Sequence, residues 1–360
     1  MCSASRVIRY LCLPASLLLV MMNISCSRFS YYGQAVRGQL EIVTRMHRID
    51  QLIAQETVDQ ETEARLQMIL DIREYASKEL LLPDNDSYKT YAELGREYVV
   101  WNVIAAPEFS MQPQVWCFPI VGCLPYRGYF SREAALEYAK ELELQGNDVY
   151  VGGVSAYSTL GWFDDPVLDT MLRHGMTWAV RIIFHELAHQ KIYIRDDTEL
   201  NEAFADTVAT IGVRKWLQAT RQKVEYEQFN AQLIREKQFH TLISEFRDRY
   251  RTLYAEDRPV AQKRLAKTAL FQDLRRAYSS LQATWGGHDE YRSWFNDGPN
   301  NARMATIITY KELEPGLSAL YQATGENLQE FYRIVRSLAR CEPEERRKVL
   351  NQVETGTPCG

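Results

Sequence analysis

Apolar residues recur at three- and four-residue spacing along most of this chain, so helix dominates the expected architecture. From Tyr32 to about Leu82, the positions Leu40, Val43, Ile49, Leu52, Ile53, Leu66, Ile69, Leu70 and Ile72 predict two helices joined near Thr57–Gln60. Pro83-Asp84-Asn85-Asp86 stops the second. Two further stripes lie either side of Asp257-Arg258-Pro259: Phe229, Leu233, Phe239, Leu242, Ile243, Phe246 and Tyr250, then Leu265, Ala269, Leu274, Tyr278 and Leu281. They predict a long antiparallel helical pair over residues 221–285, and a stripe of this kind is packing surface rather than chemistry. Leu168, Leu172, Met176, Val180 and Ile183 lead into a helix through His185–His189, and Val208, Ile211, Val213, Trp216 and Leu217 continue the pattern. Ala302–Leu320 is helix-like but interrupted by Pro315, and Leu328–Leu338 predicts a last amphipathic helix. Residues 88–166 break the rhythm. Tyr98–Ile104 and Asp148–Val154 read as strands. Between them Ser131 is placed to cap a helix through Ala134, Ala135, Tyr138 and Leu142, which Gly146 ends. Gly152 and Gly153 either admit a second backbone beside their strand or mark a bulge. The expected fold class is α+β, predominantly helical, with a long helical hairpin and a small strand-containing region.

Composition narrows the class. With 46% hydrophobic and 25% charged residues over 360 positions, a sizeable core is expected and global disorder is not. A net charge of −5, with no basic cluster interleaved with aromatics, gives no reason to expect a nucleic-acid partner. The N-terminus reads as a targeting segment, residues 1–25. Arg6 and Arg9 precede an apolar run, Leu11–Met22, that is too short to span a bilayer comfortably. Asn23-Ile24-Ser25-Cys26 then resembles a bacterial lipoprotein cleavage site, which would leave Cys26 as an acylated N-terminus, although Asn23 stands where such sites usually carry Leu. Ordinary secretion and an uncleaved anchor are the other readings, and all three export the chain. The expected location is the bacterial cell envelope, in the periplasm, held to a membrane by lipid on Cys26.

Cysteine usage agrees with export. Setting aside Cys2, Cys12 and Cys26 leaves Cys117, Cys123, Cys341 and Cys359, an even number that suggests two disulfides. Three pairings can be drawn; the local one, Cys117–Cys123 with Cys341–Cys359, closes the shortest loops.

The candidate chemistry lies in His185-Glu186-Leu187-Ala188-His189 and, after it, Asn201-Glu202-Ala203-Phe204-Ala205-Asp206. The first is H-E-x-x-H. On a helix, residues four apart share a face, so both imidazoles reach one ion and Glu186 stands beside them to handle a proton. Zn²⁺ wants one more protein ligand and an open position for water. The second segment could supply that ligand. No Pro or Gly falls between Met176 and Asp206, and the polar run Arg195-Asp196-Asp197-Thr198 can turn the chain between two helices. A tetrahedral oxyanion would need a further donor, for which Tyr310, Tyr193, Tyr157 and His288 are candidates.

Asn201-Glu202-x-x-x-Asp206 resembles the second helix of the gluzincin metallopeptidases, the thermolysin-like enzymes and related aminopeptidases. That resemblance implies a zincin-like core in which Glu202 is the third zinc ligand and Asp206 accepts the ring N–H of His185. Only twelve residues separate His189 from Glu202, fewer than in those families, which leaves Glu199 as a minor alternative ligand. A longer resemblance covers nearly all of residues 31–340. Tyr31–Leu40, Tyr98–Gly128, Ala156–Pro166, His185–Ala205, Asn300-Asn301-Ala302-Arg303 and Thr309-Tyr310 are similar to a bacterial family of predicted zinc aminopeptidases, many of them lipoproteins. It implies peptide substrates, Tyr310 as the oxyanion donor and Asn301 as a substrate contact. Tyr157 lies 28 residues before His185, where the related aminopeptidases place a substrate-binding strand, and is a candidate by position. The expected organisation is an N-terminal helical scaffold (26–87), an α+β substrate-side region (88–166), a helical zinc-catalytic region (167–340) and a tail (341–360). Peptide-bond hydrolysis is the expected activity. Aminopeptidase action is preferred over endopeptidase action; the two differ by an amine-binding carboxylate, for which Asp164, Asp165 and Glu199 are candidates. A non-enzymatic envelope protein stabilised by zinc is the remaining alternative, and the intact Glu186 argues against it.

Overall fold

The computed structural model describes residues 31–118, 122–159, 161, 163–296, 298–308 and 313–352. Residues 31–44 form α1. Then come β1 (His47–Arg48), α2 (Ile49–Ala54), α3 (Gln60–Lys78), β2 (Thr90–Ala92) and β3 (Val100–Pro107). A short hairpin, β4 (Trp116–Phe118) and β5 (Gly122–Leu124), precedes β6 (Arg127–Tyr129), α4 (Arg132–Leu144), β7 (Asn147–Val154) and β8 (Val167–Leu168). Helices then take over: α5 (Asp169–Leu172), α6 (Met176–Lys191), α7 (Thr198–Ala219), α8 (Lys223–Ala255), α9 (Val260–Gln282), α10 (Asn301–Ile308), α11 (Glu314–Ala323), α12 (Leu328–Leu338) and α13 (Pro343–Gln352). The fold is α+β, mostly helical, with small sheets.

The main core surrounds α6 and α7. Ala179, Val180, Ile183, Phe184, Leu187 and Ala188 bury one face of α6 against Leu200, Ala203, Phe204, Val208 and Ala209 of α7. The same core takes in Ile42, Leu66 and Ile69 at one end of the chain and Leu317, Phe331, Val335 and Leu350 at the other. The N-terminal scaffold and the catalytic region therefore share one interior. Phe239, Ile243, Phe246 and Tyr250 of α8 meet Phe271, Leu274 and Tyr278 of α9 in a second core. This is the expected helical hairpin.

The antiparallel sheet β6-β3-β7 stands beside the main core. Its helix α4 begins as the sequence suggests: the Ser131 hydroxyl oxygen accepts the Ala134 N–H at 3.2 Å. One face of the sheet packs on α4 through Val103, Ala105, Tyr129, Ala135 and Ala139. On the opposite face, Ile104, Ala106 and Tyr150 meet Ala302 of α10. The space over the faces of the β7 glycines is filled. A Cβ at Gly153 would fall 2.2 Å from the Tyr98 ring and one at Gly152 would fall 2.9 Å from the Tyr150 ring, so tyrosines already occupy both spaces.

Two other expectations change. The first predicted helix is divided, because His47–Arg48 pair in a ladder with Thr90–Tyr91. The expected tail contains α13, whose Arg346 and Arg347 pair with Asp197 and Glu199 at the start of α7. Cys117 and Cys123 are joined in a disulfide. Cys341 is disulfide-bonded too, and its expected partner Cys359 lies outside the described residues. Cys26 and the whole targeting segment lie outside them as well.

Candidate metal centre and its cleft

Each residue of the Asn-Glu-x-x-x-Asp run has its own task. Asn201, buried, closes the turn between the two helices: its amide oxygen accepts the Ile194 N–H at 2.8 Å and its amide nitrogen donates to the Ile194 carbonyl at 2.7 Å. Asp197 caps α7 by accepting the Leu200 N–H at 3.1 Å. With the turn fixed, Glu202 faces the two histidines of α6. Its carboxylate lies 3.3 Å from His185 Nε2 and 3.6 Å from His189 Nε2, and the two Nε2 atoms are 3.0 Å apart. Four residues on, the Asp206 carboxylate accepts from His185 Nδ1 at 3.0 Å.

This geometry fits a tetrahedral ion. Ligands at the usual zinc distances of about 2.0–2.1 Å stand roughly 3.3 Å from one another, and the separations here are of that order, with Glu202 approaching His185 through Oε2 and His189 through Oε1. The ligand atoms of His185, His189 and Glu202 all lie within 4.8 Å of one another, so the group could hold a metal ion. The bond from Nδ1 to Asp206 leaves His185 Nε2 as the nitrogen that faces the centre. His189 Nδ1 is buried with no hydrogen-bond partner among the described residues, so support of this kind falls on His185.

The electrostatics agree. Burial pushes the His185 imidazole down, but its bonds to Asp206 and Glu202, with the Glu186 charge nearby, outweigh burial and hold it well above the ordinary value. Burial would raise Glu202, yet the two imidazoles bring it down to about 2. The field here stabilises positive charge among three carboxylates, which is what a cation requires. Arg181 extends the arrangement. It pairs with Glu236 of α8 at 3.0 Å and approaches Asp206 to 3.8 Å.

A cavity of about 490 Å³ opens on this centre. His185, Glu186, His189 and Glu202 of the two helices line it, together with Val100, Asn102, Gly128 and Val154 of the sheet. Phe118 and Leu124 of the disulfide-closed hairpin contribute to its rim.

The other candidates divide clearly. Tyr157 and Tyr193 line the cavity. Tyr310 lies outside the described residues. His288 is exposed near Glu290 and is not among the lining residues. Asn301 does not reach the cavity: it is fully buried, bonding to Tyr254, Asp148 and the carbonyls of Pro107 and Glu108, and so anchors α10 to the sheet. Glu199 is engaged by Arg347, and it is Glu202 that joins the two histidines. Asp164 is exposed away from the lining, and Asp165 is buried with Thr159 and Ser158 as donors. The residues that sequence reasoning missed are Asn102 and Gly128. Asn102 alone left a trace, as a polar residue in an otherwise apolar strand.

A family model described as "Putative aminopeptidase" matches residues 30–350, and the chain belongs to that family. Searches of curated proteins and of solved structures gave no match. The class is thus an aminopeptidase-like protein with an α+β fold and a His-His-Glu group able to bind a metal ion.

Proposed function

We propose that this protein is a zinc metallopeptidase of the gluzincin type that removes N-terminal residues from peptides in the cell envelope. The observation that carries the reading is the convergence of His185, His189 and Glu202 on one point, with Glu186 lining the same cavity. Membership of an aminopeptidase family supports peptide hydrolysis as the reaction. On this reading α6 and α7 are the zincin-like core.

Zn²⁺ held there would acidify a water and polarise the scissile carbonyl. Glu186, one residue from His185, accepts the proton of the attacking water and passes it to the departing amine nitrogen. Asp206 holds the His185 ring in plane and in the tautomer that keeps Nε2 a ligand. Tyr157 and Tyr193 can reach substrate from the cavity wall; Tyr310 is a third donor candidate for the oxyanion. An endopeptidase acting from the same site is favoured by one observation: among the described lining residues the only acids are Glu186 and Glu202, with none left over for a free amine. Aminoacyl reporters and N-blocked peptides separate the two. In Glu186→Gln, turnover should fall roughly 10²–10⁴-fold while zinc content stays near one per chain. Retained activity in that variant would refute the mechanism, and cleavage of blocked peptides alone would refute the exopeptidase assignment.

Export and lipidation on Cys26 belong to the same proposal. They rest on Arg6, Arg9, the apolar run Leu11–Met22 and Cys26 itself, and the Cys117–Cys123 disulfide suits an oxidising compartment. Labelled palmitate should enter the wild-type chain and not Cys26→Ala.

A further inference from the structure

The sheet face opposite α4 is only half covered. Where Ile104, Ala106 and Tyr150 lie, α10 packs on it; where Val100, Asn102, Gly128 and Val154 lie, it is the floor of the cavity. Register fixes what that floor is made of. Asn102 pairs with Gly128 on one side and with Gly152 on the other. The Tyr150 ring lies over Gly152. Gly128 has no such cover: a Cβ there would sit 3.1 Å from Val100 and 3.3 Å from the Asn102 side chain, in contact with the floor itself. The lining also includes Tyr126, Phe130 and Tyr157, with the last two rings edge to face at 5.4 Å. Glu186 and Glu202 apart, no Lys, Arg, Asp or Glu is among the described lining residues. Arg127, next to Gly128, is not among the lining residues; it stacks on Tyr31, which is, and on Tyr138, 4.0 and 4.6 Å from the ring centres. The charged lining therefore comes from the two helices that carry the histidines and Glu202, and the lining supplied by the sheet is uncharged with aromatic rings beside it.

We propose that the uncharged part of the cavity floored by Gly128 and Asn102 is the pocket for the substrate's side chain, and that it takes a large aromatic or aliphatic residue. This rests on the peptidase reading of the histidine centre. The scissile amide needs the histidine centre and Glu186, so the neighbouring side chain is left with the uncharged lining. A Lys, Asp or Glu side chain would lose its hydration there with no counter-charge, whereas an aromatic ring gains from facing other rings. Only a residue without a side chain at 128 leaves this floor open, and in a short strand valine is otherwise well suited to that position.

The test compares Phe, Leu, Ala, Lys and Glu reporters bearing one common leaving group, using zinc-loaded protein. Wild type should turn over the Phe and Leu reporters at least about 10-fold better, in kcat/KM, than Lys and Glu. Gly128→Val should lower the Phe-to-Ala ratio by about 10-fold or more, with unchanged circular dichroism. Calorimetry with Glu186→Gln supplies a reading free of turnover: phenylalanine amide should bind more tightly than lysine amide, and Gly128→Val added to that variant should remove the difference. Equal use of charged and apolar reporters, or an unaltered Phe-to-Ala ratio in Gly128→Val, overturns the pocket while leaving the peptidase reading intact. Absence of turnover on every reporter and on N-blocked peptides overturns the peptidase reading instead, and equal binding of the two amides then overturns the pocket as well.

Discussion

Asp206 shows how far a single carboxylate can act from the reacting atoms. It touches His185 on the nitrogen that does not face the centre, and Arg181 holds it from the far side. Asp206→Asn keeps the shape but weakens the acceptor, so zinc affinity should fall about 10–100-fold, read by chelator competition. An unaltered affinity would make the contact incidental. Asp165 makes a prediction of a different kind. Burial pushes its carboxyl up to about 6, against the opposing pull of its bonds to Thr159 and Ser158. The folded protein holds that proton more tightly than the unfolded chain. Its contribution is present in full below about pH 4 and is lost as pH rises through about 6, about 3 kcal/mol in all. In chelator-treated protein, the fall in unfolding free energy over that interval should be shallower for Asp165→Asn; parallel curves would count against the assignment. The candidate metal group was legible because helical spacing puts His185 over His189 and because the resemblance to the gluzincins pointed to Glu202 and Asp206, likewise one turn apart. Asn301 was not legible, because a buried anchor and a substrate contact are the same letter in sequence. Asn102 needed the register of three strands.

Among elements, the pair α6 and α7 depends on close approach. A Cβ on Gly212 would fall 2.6 Å from the Phe184 ring and 2.7 Å from Leu80, so only glycine lets the helices lie this near. Gly212→Ala should cost about 1–3 kcal/mol by overpacking, measured by denaturant unfolding. Phe184 directly precedes His185, so the same variant should weaken zinc binding; a gain in stability from the better helix former would contradict the packing argument. The helices themselves were readable, and so was the hairpin of α8 and α9, since long amphipathic periods carry their own signal. Two features were not. His47–Arg48 is too short for a two-residue alternation to register, and its partner Thr90–Tyr91 lies more than forty positions away. Helix α13 is strongly charged, and what makes it part of the fold is its pairing with Asp197 and Glu199 on α7, which no local pattern contains.

At the scale of the molecule, two interiors meet in one helix. Phe229 near the start of α8 belongs to the core around α6 and α7, while Phe239 to Leu253 belong to the core shared with α9. Apolar stripes announced that these helices would be buried, but not that their burial would be divided. The division predicts how metal removal is felt. An ion bound by His185 and His189 of α6 and Glu202 of α7 ties together two helices of the first core and nothing in the second. Because it binds the folded state, it adds stability as RT ln(1 + [L]/Kd), about 4 kcal/mol at a thousandfold excess over Kd. Chelation should therefore lower the melting temperature of the wild type and leave His189→Ala nearly unaffected. By amide exchange, protection should drop over residues 176–219, where the ligands sit, and hold over residues 239–281, whose core also takes in Met111, Trp285, Phe295 and Met304 and none of the ligands. Uniform loss across both segments would mean that the hairpin is stabilised through the metal helices, and the independence of the second core would have to be given up.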